Sequence, residues 1–216
     1  MKLTSKGRYA VMALVDLARF DNINPVYSVD NQKFENMSKA YFASGCFWCV
    51  ETIYESLDGV EEVYSGYAGG TTINPNYYQV MSGKTGHAEA IEIIYDSSKV
   101  SFDTLLKVFF DSHNPTTPNR QGPDYGTQYR SIAFYNNQDE KNKINNYISF
   151  LSTSSIFGKE IITEVKKIDK FYYAEEYHQD YEKKNPYNPY VQNVSIPRFY
   201  RFKQKASSYI KIKDDH

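Results

Sequence analysis

Apolar residues first recur at helical spacing near the start of the chain, where Val11, Leu14, Val15 and Ala18 share one face of a predicted helix over 9–20. Residues 21–37 lack periodicity and contain Pro25, which predicts a linker. From Lys39 the pattern tightens. KAYFA (39–43) reads as a short strand, Gly45 as a turn, and CFWCVETIYESL (46–57) as a helix. VEEVYSGYAGG (60–70) predicts a strand that closes on a glycine turn, and the polar stretch 71–86 a loop. HAEAIEIIYD (87–96) alternates at period two, which puts Glu89, Ile91, Ile93 and Tyr95 on one face. FDTLLKVFFDSH (102–113) is amphipathic, with Leu105, Val108 and Phe109 as its stripe.

Residues 114–130 form a long loop, of a length that is usually functional or disordered. A strand over 130–136, a helix over 138–151, a strand over 163–168 and a helical Tyr-rich segment over 171–183 complete the reading. No repeat or low-complexity tract occurs. Short strands interspersed irregularly with helices predict an α+β domain, with helices packed on a mainly antiparallel or mixed sheet.

Composition narrows the function classes. A formal net charge of -1 provides no long-range field for nucleic acid or an anionic membrane, so neither partner is expected. The chain has no apolar run of 18 residues or more. Its first twenty residues carry an early positive charge and a short apolar stretch, but Asp16 and Arg19 interrupt it; a helix fits better than a signal peptide. Tyrosine occurs 21 times, suited either to a pocket both apolar and hydrogen-bonding or to general compositional drift.

The only cysteines are Cys46 and Cys49. A secreted disulfide scaffold would use more of them, widely spaced, so a single close pair points to redox chemistry or half of a metal site. Strand, glycine turn and helix would set Cys46 at a helix N-terminus, where free N–H groups and the helix dipole favour an anion. Thiols there can have a pKa lowered by about one unit or more, which makes them nucleophilic at neutral pH. Cys49 follows at the i, i+3 spacing that brings side chains together. A disulfide needs Cβ atoms about 3.8 Å apart, closer than an undistorted helix allows, and a helix boundary supplies the slack. Zinc would need two more ligands from His87, His113, His178 or His216, which form no short-spaced pair; two inert buried thiols are the other alternative.

GCFWCVE (45–51) resembles the signature of the peptide methionine sulfoxide reductase A family. GYAGG (66–70), SGKTGHAEAIEIIYD (82–96), GPDYGTQYRSIAFY (122–135) and FYYAEEYHQDYEKKNPY (171–187) resemble its other blocks in order, over residues 39 to about 200. The resemblance implies a ferredoxin-like two-layer sandwich, with a reductase domain over 38–204 between an N-terminal helix and linker (1–37) and a tail (205–216). It also implies a role for each matching residue. Cys46 would be the nucleophile on the sulfoxide sulfur, Glu89 the acid that protonates the oxygen, and Tyr77 and Tyr129 the phenols that hydrogen-bond it. Phe47 and Trp48 would hold the substrate methyl, Asp124 would be a supporting carboxylate, and Tyr173 and Tyr181 would be substrate-binding tyrosines.

These roles agree with elementary chemistry. The oxygen leaves only when protonated, a desolvated carboxyl keeps its proton, and tyrosine stays protonated at neutral pH. Many members have glycine where Cys49 stands and resolve through C-terminal cysteines. Here either Cys49 resolves or an external thiol attacks the sulfenic acid directly. The expectation is a thioredoxin-dependent, cytoplasmic, monomeric reductase of the S epimer, with no bound cofactor or metal, acting on free or protein-bound methionine sulfoxide. His87 and His113 are read as structural.

MKLTSKGRYAVMALVDLA (1–18) resembles the opening helix of Rrf2-type winged-helix regulators, but residues 19–38 supply no recognition helix or wing, so DNA binding is not inferred. A thioredoxin-type disulfide exchanger is a further alternative; it would need neither the acid nor the tyrosines.

Overall fold

The computed structural model describes residues 34–213. The helix expected over 9–20, most of the linker and the regulator-like segment lie outside the described residues.

In chain order the elements are β1 (Ser38–Ser44), α1 (Phe47–Glu55), β2 (Val60–Ala68), α2 (Tyr77–Met81), β3 (Ala88–Tyr95) and α3 (Phe102–Ser112). They continue with β4 (Arg120–Gln121), β5 (Asp124–Tyr125), β6 (Ser131–Tyr135), α4 (Gln138–Thr153), β7 (Glu164–Lys167), β8 (Phe171–Tyr173), α5 (Tyr181–Lys184) and α6 (Ile196–Ala206). Six strands form one sheet in the order β7-β6-β1-β3-β2-β8. Only β6 and β7 run parallel; the other neighbours are antiparallel. The units β1-α1-β2-β3-α3-β6, with central order β6-β1-β3-β2, make the expected ferredoxin-like α+β arrangement.

The main core, which includes Phe42, Phe47, Ile53, Tyr54, Ile91 and Phe109, joins one face of the sheet to α1, α3 and α4. Smaller clusters cover the other face, one around Ala43, Ala90 and Phe134 and one around Phe34, Tyr64 and Ile94. β3 is therefore buried along its whole length, on both faces. The alternation separates two packed layers rather than core from solvent.

Helix starts follow local rules. Ser101 caps α3 by accepting the Thr104 N–H, and Asn137 caps α4 by accepting the Glu140 N–H. Asn76 and Gln79 form a reciprocal capping box on α2, a helix in a stretch expected to be a loop. The expected loop over 114–130 holds the β4–β5 hairpin and a 3-10 turn at Thr127–Tyr129. None of the described helices is long and apolar enough to cross a membrane.

The Tyr-rich segment is not one helix. It enters as β8 against β2, turns through a 3-10 segment at Glu176–His178, and forms only the single-turn α5. Gly66 permits the pairing: a Cβ there would lie 2.4 Å from both Phe171 Cζ and the Tyr172 carbonyl oxygen. No element was expected between 184 and 206, yet a π-helical turn at Val191–Ser195 runs into α6, which buries Arg198, Phe199, Phe202 and Ala206. The expected tail also differs. Its first two residues belong to α6, and its last described residues dock on the domain. Asp58 N–H donates to the Lys211 carbonyl (3.0 Å), and Lys213 N–H to the Ser56 carbonyl (2.7 Å).

Candidate active site

Gly45 ends β1 with φ +95°, and a Cβ there would lie 2.6 Å from Gln121 Cβ, so the turn needs glycine on both counts. The chain then enters α1 with Cys46 as its cap residue, whose carbonyl accepts the Val50 N–H at 3.3 Å. Cys46 thus stands at the positive end of the helix dipole. Both cysteines are buried, and neither is in a disulfide.

The Cys46 side chain stands close enough to Cys49 to favour its thiolate by hydrogen bonding. The Cys49 Sγ lies 2.8 Å from Ser195 Oγ and 4.0 Å from the Tyr190 hydroxyl. Arg198, fixed by donation to the carbonyls of Ser112 (2.9 Å) and Ser44 (3.0 Å), adds a buried positive charge. Burial raises the Cys49 pKa, but the Cys46 hydrogen bond, the Arg198 charge and the Ser195 hydrogen bond outweigh it and hold the thiol at about 6. Glu182, buried nearby and facing the Ser195 and Thr52 hydroxyls, shifts the other way. Desolvation and the Cys49 charge raise it to about 8.

Glu89 reaches the same place from the middle of the sheet. Its side chain is 0% exposed, and its Oε2 accepts the backbone N–H of Phe47 at 2.9 Å. Phe47 packs on Tyr67 (5.9 Å between centroids) and His178 (5.0 Å). Trp48 stacks on Tyr181 at 3.6 Å and donates its indole N–H to His178 Nδ1 at 3.1 Å. Tyr77, first residue of α2, lies with its ring 4.5 Å from that of His178. Its backbone N–H donates to Glu175 Oε1 (2.9 Å), while the Tyr67 hydroxyl donates to Glu175 Oε2 (2.8 Å). Asp124 is tied to the cysteine pair through Tyr190, whose hydroxyl donates to its Oδ2 at 2.5 Å.

Thus Cys46, Cys49, Phe47, Trp48, Glu89, Tyr77 and Tyr181 share one contact network, and Asp124 joins it through Tyr190. Tyr129 is buried and donates its hydroxyl to Met81 Sδ at 3.4 Å. Tyr173 lies elsewhere. It donates to Glu92 (2.8 Å), which also holds Tyr41 and Lys39, on the face of β3 opposite Glu89. His87 bonds to the Gly70 N–H and the Thr72 carbonyl, and buried His113 to the Phe109 carbonyl and Ser131.

Sequence reading missed Glu175 and considered His178 only as a possible zinc ligand, although both stand inside the quoted EEYHQ block. It also missed Tyr190, Ser195 and Arg198, which no motif marks.

The peptide methionine sulfoxide reductase family model matches residues 38–210. A reductase of this type from Nautilia profundicola is 48% identical over 180 residues, 83% of this chain and 98% of its own length. One from Trichodesmium erythraeum is 49% identical over 160 residues, 74% of this chain and 90% of its own. Among solved structures, methionine sulfoxide reductase A of Corynebacterium diphtheriae superposes with TM-score 0.64 at 34% identity, covering 71% of this chain and 78% of that one. Reduced Mxr1 from Saccharomyces cerevisiae gives 0.68 at 32% identity, covering 78% and 94%. With the cysteine pair, the buried carboxylate and the fold in agreement, the chain belongs to the peptide methionine sulfoxide reductase A family, oxidoreductases that return methionine sulfoxide to methionine.

Proposed function

We propose that the protein reduces the S epimer of methionine sulfoxide through Cys46, with Cys49 as its internal resolving thiol and thioredoxin as the dithiol that restores the pair. The Cys46 thiolate attacks the sulfoxide sulfur while Glu89 gives its proton to the oxygen. Methionine departs, and Cys46 is left as a sulfenic acid. Cys49 attacks that sulfur, water leaves, and a Cys46–Cys49 disulfide forms for an external dithiol to reduce.

The observation that carries this reading is the position of Glu89: a carboxyl without solvent exposure, tied to the residue directly after the nucleophile. A proton held there is delivered beside Cys46 rather than exchanged with water. Tyr77 is the phenol best supported as a partner for the oxygen, and Tyr129 is the second candidate. The hydrogen bond between the two cysteines and the low pKa of Cys49 support its resolving role over direct attack by external thiol. A monomer in a reducing, cytoplasmic compartment fits a pair that must be reduced at every turn.

The test is a racemic methionine sulfoxide peptide incubated with the protein, with epimers separated and thiols counted afterwards. Loss of one epimer with formation of one Cys46–Cys49 disulfide is expected. Undiminished activity of Cys46→Ser would overturn the reading.

A further inference from the structure

A cavity of about 830 Å³ opens between the C-terminal end of α3, the β4–β5 hairpin and α6, and Cys49 forms part of its wall. Cys46, Phe47, Trp48 and Glu89 do not line it, so it approaches the pair from the resolving side. Its charge is unbalanced. Arg198, Arg201 and Lys205 line it from one face of α6, at i, i+3 and i+7, and Arg120 lines it from the hairpin. Among the described residues none of these four forms an ion pair: Arg120 donates to the Gly122 carbonyl, and Arg198 to two carbonyls.

Of the two lining carboxylates, Asp111 is paired with Lys107, whereas Asp124, which accepts from the neutral Tyr190 hydroxyl, keeps its negative charge near Cys49. Four cations against that one carboxylate leave the wall net positive. Exposure falls along the series, from exposed Lys205 and Arg201 to Arg198 at 8% and Cys49 at 3%. An excess of positive charge therefore leads from solvent toward Cys49, with Asp124 as its counter-charge.

Resting on the disulfide reading above, we infer that this cavity is a port for a small anionic thiol, one carrying a carboxylate or sulfonate, which reduces the Cys46–Cys49 disulfide at Cys49. The acid group pairs with Arg201 and Lys205, and the thiolate attacks Cys49 Sγ. The S–S bond breaks and its electron pair leaves on Cys46, which regains its proton from solvent. A second thiolate attacks the ligand sulfur of the mixed disulfide, releasing a small-molecule disulfide and Cys49. Cys49 lies on the wall of a cavity large enough to admit a ligand of this size.

The test uses the full chain, oxidised to the disulfide with diamide so that it is independent of sulfoxide chemistry. Mercaptoethanesulfonate, mercaptoethanol and aminoethanethiol then serve as anionic, neutral and cationic reductants, each rate divided by its rate on a small neutral disulfide. The anionic thiol should be favoured over the neutral one by roughly tenfold at low salt. High salt should erase the preference, and the Arg201→Glu/Lys205→Glu variant should reverse the order. Equal normalised rates, or an order unmoved by charge reversal, would overturn the port, as would failure of diamide to form the disulfide. So would a charge reversal whose only effect is a raised KM for acid-flanked sulfoxide peptides, which would give the cavity to the substrate. Failure of methionine sulfoxide itself to produce the disulfide would overturn only the preceding reading.

Discussion

The backbone N–H of Phe47 meets the Oε2 of Glu89 at 2.9 Å, joining residues 42 apart in sequence where the proposed nucleophile and acid meet. One bond fixes both the start of α1 and the direction of a carboxyl that has no contact with solvent. Glu89→Gln keeps an acceptor for that N–H but removes the transferable proton. Its kcat should fall by about a hundredfold, with thermal stability little changed, because general-acid catalysis contributes at least that much. Glu89→Ala should lose the rate and the anchor, lowering both kcat and Tm. Steady-state rates on the S epimer beside melting curves distinguish the two; a wild-type rate in the Gln variant would remove Glu89 from the chemistry.

As the proposed resolving thiol, Cys49 should separate the first turnover from all later ones. Serine in its place can still hydrogen-bond to Ser195, so Cys49→Ser should fold and release one methionine per protein. With thioredoxin, its reductase and NADPH it should then stop, holding Cys46 as a sulfenic acid that a dimedone-type reagent traps. Sustained cycling on thioredoxin alone would show that Cys49 is not the resolver.

The pH dependence of disulfide formation follows from the Cys49 environment. Its pKa of about 6 lies below the ordinary thiol value because the Cys46 and Ser195 hydrogen bonds and the Arg198 charge all favour the thiolate against burial. After a single turnover Cys46 is oxidised and its thiol hydrogen bond is gone, so the midpoint for disulfide formation should lie above about 6. The rate should be level above that midpoint and fall roughly tenfold per unit below it. Ser195→Ala removes one thiolate donor and leaves the burial, so its midpoint should move upward. Acid-quenched alkylation across pH measures both profiles, and coincident midpoints would deny Ser195 the role.

How far the sequence discloses this molecule depends on the range of the contacts. Cys46, Phe47, Trp48 and Cys49 lie in one contiguous run, and helix-start rules alone put the first of them at the dipole. Glu89 is legible as well, since strand alternation sets it with Ile91 and Ile93, and both face the main core. Tyr173 shows the limit: adjacent tyrosines in a strand point to opposite layers, and only the pairing of β8 with β2 decides which layer each meets. Ser195 and Arg198 were illegible for a different reason. An ordinary serine and an ordinary arginine gain significance only once α6 folds back over α1, 146 residues of chain after Cys49 in the case of Ser195. No local pattern encodes that return.

Glu182 gives a stability prediction whose sign is set by burial. Desolvation first, and then the Cys49 charge, raise its pKa from 4.5 to about 8, so the folded protein holds a proton that the unfolded chain releases. Stability is therefore lost as pH rises from 4.5 toward 8, at about 1.4 kcal/mol per unit, or a few kcal/mol in all. Glutamine is a neutral isostere of the protonated acid and escapes this cost. Glu182→Gln should match wild type near pH 4.5 and melt several degrees higher near pH 8. In a Cys49→Ser background the gap should narrow, since the charge that opposes ionisation of Glu182 is gone. Melting curves of the four proteins across that range test both statements together. Parallel curves for wild type and Glu182→Gln would mean that Glu182 ionises freely, and that the proximity of the two acids, Cys49 and Glu182, has no energetic consequence.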